Sequence, residues 1–147
     1  MLSRNELRGE LTRKRRVYIP GHGTFPVCCI CGMPIKGGGE IHESIITRGM
    51  IRNADKVHLI LVPENSNLVH SDCHPESGRG SEQDFKKCCV DLYLHEGGKV
   101  LDWLDGIEEV FPTVVAQARR DYLRKIDISK FPPKENERSI KFEVINQ

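Results

Sequence analysis

Two pairs of potential metal ligands share one spacing in this chain of 147 residues. Cys28 and Cys31 form the first pair, with two residues between them. His70 and Cys73 form the second pair with the same spacing, and 38 residues separate the two pairs. Zinc usually takes four sulfur or nitrogen donors in a tetrahedron, and this spacing within a tight turn lets both side chains of a pair reach one ion. A lone cysteine pair is more often two small buried residues, but the second pair favours a structural Zn²⁺ site.

The other three cysteines lack a partner at a suitable spacing. Cys29 lies too close to Cys31 for the usual ligand pair. Cys88 and Cys89 are adjacent within a predicted helix, where consecutive side chains point about 100° apart and cannot face the same ion. We therefore predict that these three thiols are packing residues rather than ligands.

One histidine directly follows the second ligand pair. Because His74 is adjacent to Cys73, it must point away from the zinc, and the sequence predicts that its imidazole is displayed for chemistry. Three other histidines, His22, His58 and His95, fit no motif and are predicted to be ordinary surface or loop residues.

The overall charge does not indicate a particular class of partner. The formal net charge is +1, although residues 1–20 carry six basic and two acidic side chains, and residues 82–109 carry eight acidic and three basic ones. A nucleic-acid partner must therefore be argued from local patches.

The sequence indicates an intracellular protein. It contains no run of the roughly 20 apolar residues that a membrane helix needs, and its N-terminus lacks the apolar core of a signal peptide. We therefore expect a cytoplasmic protein without a membrane partner. In a reducing compartment, closely spaced Cys and His residues favour a metal site over disulfides.

The elements that would position these residues alternate between helices and short strands. In the first half we predict an exposed helix over 3–16, a break at "IPGHGTFP", an extended segment over 40–46 and the clearest strand over 56–63, followed by a turn. In the second half we predict helices beginning at the "SEQD" capping pattern, at Lys99 and at Pro112, and a strand in the tail.

The stretches "CCIC", "GEIHESI" and "PENSNLVHSDCH" together resemble the HNH nuclease family. In that family a Cys pair precedes a strand with an acidic residue and a histidine, then come an Asn and a second ligand pair whose last Cys is followed by a histidine. The likeness covers residues 28 to about 95, and "YLHEGGKVLDWLD" is similar in composition to HNH proteins of bacteriophages.

The resemblance implies an α+β fold with a zinc-stabilised ββα-metal finger core and additional C-terminal helices. It divides the chain into a basic N-terminal segment (1–26), an HNH core with the zinc knuckle (27–96), a helical extension (97–130) and a C-terminal tail (131–147).

The family roles transfer to individual positions. His42 corresponds to the first family histidine, and Asn65, five residues before His70, corresponds to the central Asn. Asn67 lies nearby but out of register. His74 corresponds to the last histidine, which in relatives binds the catalytic ion from the start of a helix.

The sequence departs from the family at Glu43, where many relatives have a second histidine. The arrangement we favour has His42 as general base and His74 as ligand of a catalytic Mg²⁺ or Mn²⁺ ion, with Glu43 helping to hold that ion. Which of His42 and Glu43 is the base and which touches the ion stays open.

These residue types suit phosphodiester hydrolysis. A neutral imidazole can activate water near neutral pH, and a hard divalent ion stabilises the charge that grows on the phosphate. The function that the resemblance implies is a metal-dependent DNA endonuclease, phage-encoded and of the homing or genome-processing kind, acting in the host cytoplasm. Arg48, Arg52 and Arg79 flank the site and could clamp DNA phosphates.

Two other classes of function compete with this prediction. A catalytically inactive zinc module that binds nucleic acid or protein would explain Glu43 in place of a histidine. A pure interaction protein could dock a basic partner on its acidic segment, residues 82–109.

Overall fold

The computed structural model describes residues 2–73 and 82–126, in which helices and short strands alternate to form an α+β fold. The helices are α1 (Arg4–Lys14), α2 (Arg48–Ile51), α3 (Glu82–Glu96), α4 (Lys99–Ile107) and α5 (Pro112–Ile126). The strands are β1 (Arg16–Ile19), β2 (Gly23–Pro26), β3 (Glu40–Glu43) and β4 (Ser66–Val69). Short 3₁₀ turns span Ala54–Leu59, Pro63–Asn65 and Ser71–Cys73.

Helix α1 is part of the core. Ser3 caps it in a reciprocal capping box with Glu6, which satisfies two backbone donors at its start. Leu7 and Leu11, four residues apart on one face, are fully buried in a cluster that also contains Cys28. The predicted helix therefore exists, but the prediction that it is exposed was wrong, because its few apolar residues all lie on the inward face.

The predicted break after α1 is a β-hairpin. Strands β1 and β2 pair antiparallel, with Arg16 opposite Pro26 and Ile19 opposite Gly23. Gly21 and Gly23 have φ angles of +82° and +103°, a backbone conformation that side chains disfavour. The glycines that indicated a break in fact make the turn of this hairpin.

The second two-stranded sheet, the β3–β4 ribbon, carries the residues of functional interest. Its strands pair antiparallel, with Glu40 opposite Val69 and His42 opposite Asn67. All four residues of β4 are buried. Successive side chains of a strand point to opposite faces, and accordingly Ile41 packs in the cluster with α1 whereas its neighbour His42 faces α3.

The predicted strand over 56–63 was wrong. Residues Ala54–Leu59 form a 3₁₀ turn that starts where the Asn53 side chain accepts a hydrogen bond from the Asp55 amide. This segment belongs to the connection between β3 and β4, and its apolar side chains pack against the C-terminal helices. A short apolar run can be a strand or another buried segment, and here tertiary packing decides.

Helices α3, α4 and α5 follow the sequence prediction, and α5 has the predicted bounds. Their buried side chains form one cluster with the β3–β4 connection, in which Leu92, Leu104 and Val115 are fully buried. The Trp103 indole donates to the carbonyl of Leu59 at 2.9 Å, which fastens α4 to that connection.

Two predicted features lie outside the described residues, namely Ser81 as the first residue of the capping pattern and the strand in the tail. Across residues 2–73 and 82–126, every helix is too short or too polar to cross a bilayer.

Burial of α1 gives a testable expectation. Leu11→Ala should lower the free energy of unfolding by about 2–5 kcal/mol, because it removes a fully buried side chain from a packed cluster. The same change at Leu123, which is 36% exposed, should cost far less. Chemical denaturation of both variants in zinc-containing buffer makes the comparison, and equal losses would contradict the packing of α1.

Candidate functional site

The four predicted zinc ligands converge in space. The ligand atoms of Cys28, Cys31, His70 and Cys73 all lie within 4.8 Å of one another. The first pair precedes β3 and the second follows β4, so pairing of Glu40 with Val69 brings both pairs to the same end of the ribbon. The result is a Cys3His cluster that could hold a metal ion such as zinc.

The distances within the cluster fit a tetrahedral ion. His70 Nδ1 lies 3.3 Å from Cys31 Sγ and 4.0 Å from Cys73 Sγ. A tetrahedral site with Zn–S near 2.3 Å and Zn–N near 2.0 Å separates sulfur from nitrogen by about 3.5 Å, between these two values. The geometry therefore needs little adjustment to accept an ion.

The ligand nitrogen of His70 is fixed by its other ring nitrogen. His70 Nε2 lies 3.1 Å from the carbonyl oxygen of Pro34, which can only accept, so Nε2 carries the proton in this contact. Nδ1 then turns its lone pair to the thiols, an arrangement common among metal-binding histidines.

Cys28 and Cys73 differ in how readily their thiols ionise. Burial opposes ionisation of Cys28, but hydrogen bonds from the backbone of Cys31, His70 and Ile30 outweigh it and lower the pKa of Cys28. Burial, together with the charge of Cys28, raises the pKa of Cys73 to about 12. The lowered pKa of Cys28 favours its thiolate, which is the form that binds a metal, and a bound cation would also favour ionisation of Cys73.

The remaining thiols are packing residues in the structure. Cys88 and Cys89 are buried on α3, and Cys29 Sγ lies 3.5 Å from Cys88 Sγ. A hydrogen bond to Cys88 and burial raise the pKa of Cys29 well above its usual value. These thiols lie outside the Cys3His cluster.

His42 lies on β3 at one end of a network of polar side chains. Its side chain is fully buried, its ring centroid is 5.9 Å from that of Phe85, and its Nδ1 is 2.9 Å from Ser44 Oγ. The Ser44 hydroxyl contacts Asn67 Oδ1, and Asn67 Nδ2 donates to Asp91 Oδ2 at 2.6 Å.

Arg15 lies at the other end of this network, next to Asp91. Its guanidinium, on a side chain that is only 3% exposed, lies 3.2 Å from Asp91 and donates to the carbonyl of Ser66 at 2.7 Å. Burial raises the pKa of Asp91, but the charge of Arg15 and the hydrogen bonds of His95 and Asn67 outweigh it, so the net effect lowers that pKa. The prediction that His95 is an ordinary surface residue was wrong, because its side chain is 6% exposed and its Nδ1 lies 3.2 Å from Asp91.

Asn65, the counterpart of the central family Asn, braces the loop after β3. Its Oδ1 accepts from the backbone amides of Ile45 and Ile46, and its Nδ2 donates to the carbonyls of Ile46 and Ile60. All four bonds go to backbone, so this fully buried side chain joins the two ends of the connection between β3 and β4.

Glu43 lies beside Arg48, one of the arginines predicted to contact nucleic acid. Its Oε1 accepts from Arg48 Nε at 2.9 Å and lies 4.0 Å from Arg4 NH1. Glu43 also lines a cleft of about 250 Å³ between the loop after β3 and helices α3 and α5. Arg52 ends α2 as an exposed residue with a φ of +53°.

His74 and Arg79 lie outside the described residues. Within the described part of the chain, the Cys3His cluster is the one group of three or more Cys, His, Asp or Glu side chains whose donor atoms converge. The sequence pattern predicted the four residues of the cluster, which the structure brings together, and it singled out His42. It gave no signal for Asp91 or Arg15, and it set Asn67 aside as out of register. Asn67 becomes a candidate only with the register of the ribbon, which places it opposite His42.

Comparison of the chain with protein-family models, with curated proteins and with solved structures found no significant match.

The Cys3His cluster makes a specific prediction about metal content. Cys73→Ser should lose bound zinc and unfold the central region, because metal binding and folding are coupled in small knuckles. Cys88→Ser, the same change at a thiol outside the cluster, should keep its zinc. Elemental analysis and circular dichroism of the purified proteins measure both effects, and wild-type protein without stoichiometric zinc would contradict the assignment.

Proposed function

We propose that this protein is a metal-dependent DNA endonuclease of the HNH type, with a structural Zn²⁺ in the Cys3His cluster. The observation that carries the proposal is the position of His42. It lies two residues from the end of the ribbon that bears both ligand pairs, and it faces α3. A metal cluster, a two-stranded ribbon with a central histidine and a following helix are the parts that the family resemblance requires.

The chemistry assigned to these residues is hydrolysis of a phosphodiester bond. In this proposal the imidazole of His42 accepts a proton from the attacking water. A divalent ion such as Mg²⁺ or Mn²⁺ would stabilise the charge on the phosphate, with His74 and Glu43 as the proposed ligands. The carboxylate of Glu43 suits such an ion, and its ion pair with Arg48 would keep a phosphate-binding guanidinium next to it.

A second candidate function is a zinc module that binds DNA without cutting it. Two observations favour this alternative. His42 is fully buried, whereas a general base must meet the attacking water, and both oxygens of Glu43 accept hydrogen bonds from Arg48. Cleavage and binding must therefore be measured separately.

Cleavage of supercoiled plasmid in Mg²⁺ or Mn²⁺ tests the nuclease. We expect nicked or linear product from the wild type and a loss of roughly 100-fold or more in His42→Ala and in His74→Ala, the usual scale for removing a proton-transfer group. His58→Ala, a change of an exposed histidine outside the site, is the matched control. Activity that survives both site substitutions would remove the proposed site, and no cleavage with any divalent ion would favour the binding module.

Binding can be tested at Arg52 without weakening the fold. Arg52→Gly removes a charge from an exposed position with a left-handed backbone, so stability should rise by about 1 kcal/mol or stay unchanged. If Arg52 contacts a phosphate, DNA affinity should fall and the slope of log K against log salt should drop by about one unit.

Arg119 provides the control for that measurement. Its guanidinium is already paired with Asp105 at 2.7 Å and Glu108 at 3.0 Å, so Arg119→Gln should leave the salt dependence nearly unchanged. An unchanged slope in Arg52→Gly would remove this residue from the DNA interface.

A further inference from the structure

We propose that Ser44, Asn67 and Asp91 are positioning residues that hold His42 as the tautomer with its proton on Nδ1. Nε2 is then the nitrogen with the lone pair, which can accept a proton or bind a cation. The catalytic meaning of this arrangement rests on the proposed function, whereas the tautomer can be measured without it.

The side-chain amide of Asn67 can take only one orientation. Asn67 Nδ2 lies 2.6 Å from a carboxylate oxygen of Asp91 and 3.3 Å from the carbonyl oxygen of Cys88. The carboxylate, which Arg15 keeps ionised, and the carbonyl can only accept. The nitrogen of the amide must therefore point toward α3, and its oxygen must point toward Ser44.

The single hydroxyl proton of Ser44 is used in the contact with Asn67. Asn67 Oδ1 cannot donate, so the close contact between it and Ser44 Oγ requires that Ser44 donates. Ser44 Oγ also lies 3.3 Å from the carbonyl of His42, but a proton placed there would leave the closer contact as two facing lone pairs. The hydroxyl proton is thus committed to Asn67.

The ring of His42 must therefore carry its proton on Nδ1. Its Nδ1 lies 2.9 Å from Ser44 Oγ, whose proton is already committed, so Nδ1 must donate and Ser44 Oγ must accept. A neutral imidazole with a proton on Nδ1 carries its lone pair on Nε2. Each donor in the chain from His42 to Asp91 therefore points the same way.

The far end of the chain is rigidly held. Asp91 is fixed on α3, and Arg15, the C-cap residue of α1, contacts both Asp91 and the backbone of β4. The chain orients His42 but does not relay its proton, because the amide of Asn67 sits between the hydroxyl and the carboxylate and does not ionise near neutral pH. These three residues act on His42 by position alone.

The proposal can be tested by nuclear magnetic resonance of the zinc-loaded 147-residue protein with ¹⁵N-labelled histidine. Long-range proton–nitrogen correlation spectra show which ring nitrogen of each histidine carries a proton. The His42 signals are identified by their loss in His42→Gln among the six histidines. We expect a protonated Nδ1 and an unprotonated Nε2 in the wild type. A proton on Nε2, or on both nitrogens at neutral pH, would overturn the proposal even if every variant failed to fold.

Variants separate positioning from packing. Asn67→Leu frees the Ser44 hydroxyl to donate to Nδ1, so the population should shift toward the tautomer with the proton on Nε2. Ser44→Ala should shift it in the same direction, and Ser44→Thr, which retains a hydroxyl, should restore the wild-type pattern. Ser71→Ala, at an exposed serine whose hydroxyl donates to Glu40, is the control and should change nothing. An unchanged tautomer in folded Asn67→Leu and Ser44→Ala would contradict the proposal.

The measurements distinguish failure of the nuclease proposal from failure of the proposal that Ser44, Asn67 and Asp91 position His42. The expected tautomer in a protein that does not cut plasmid would remove the nuclease alone. Cleavage by a protein whose His42 carries its proton on Nε2 would remove the positioning residues alone.

Discussion

Convergence of three thiols and one imidazole is the constraint on which the rest of the molecule depends. The connection between the two ligand pairs is long, and β3 and β4 contribute only four residues each, too few for an isolated hairpin to be stable in water. An ion bound by both pairs would close this connection in the folded state and contribute its binding energy to folding. Such closure would hold the observed register of the ribbon, and with it the pairing of His42 with Asn67.

A second constraint, the ion pair between Arg15 and Asp91, holds helices α1 and α3 to the ribbon. Arg15 and Asp91 join the end of α1, strand β4 and helix α3 through a buried ion pair, in which the Arg15 guanidinium also donates to the carbonyl of Ser66. Replacing either partner alone would leave a buried charge, which is costly, so the pair specifies one arrangement of the three elements. The same pair anchors the hydrogen bonds that orient His42. Folding and the geometry of the candidate site therefore depend on the same contacts.

The features that sequence predicted are those with a strong local signal. The cluster pairs, Cys28 with Cys31 and His70 with Cys73, share a spacing that suits one ion, and the start of α5 at Pro112 is a local backbone preference. The features that could not be predicted from the sequence depend on contacts between residues that are far apart along the chain. Segment 56–63 has the composition of a strand but lies in a connection that packs on the helices, and Asp91 meets Asn67 only because α3 crosses β4. Asn65 was expected near the chemistry by resemblance, and its observed bonds, all to backbone, give it a bracing role that spacing alone could not predict.

X-ray absorption at the zinc edge of the purified protein tests the central claim most directly, since it counts the atoms bound to the ion. The account predicts three sulfur atoms at about 2.3 Å and one nitrogen at about 2.0 Å from each zinc. A shell made only of nitrogen and oxygen atoms would contradict it, because the two ligand pairs would then not meet at one ion.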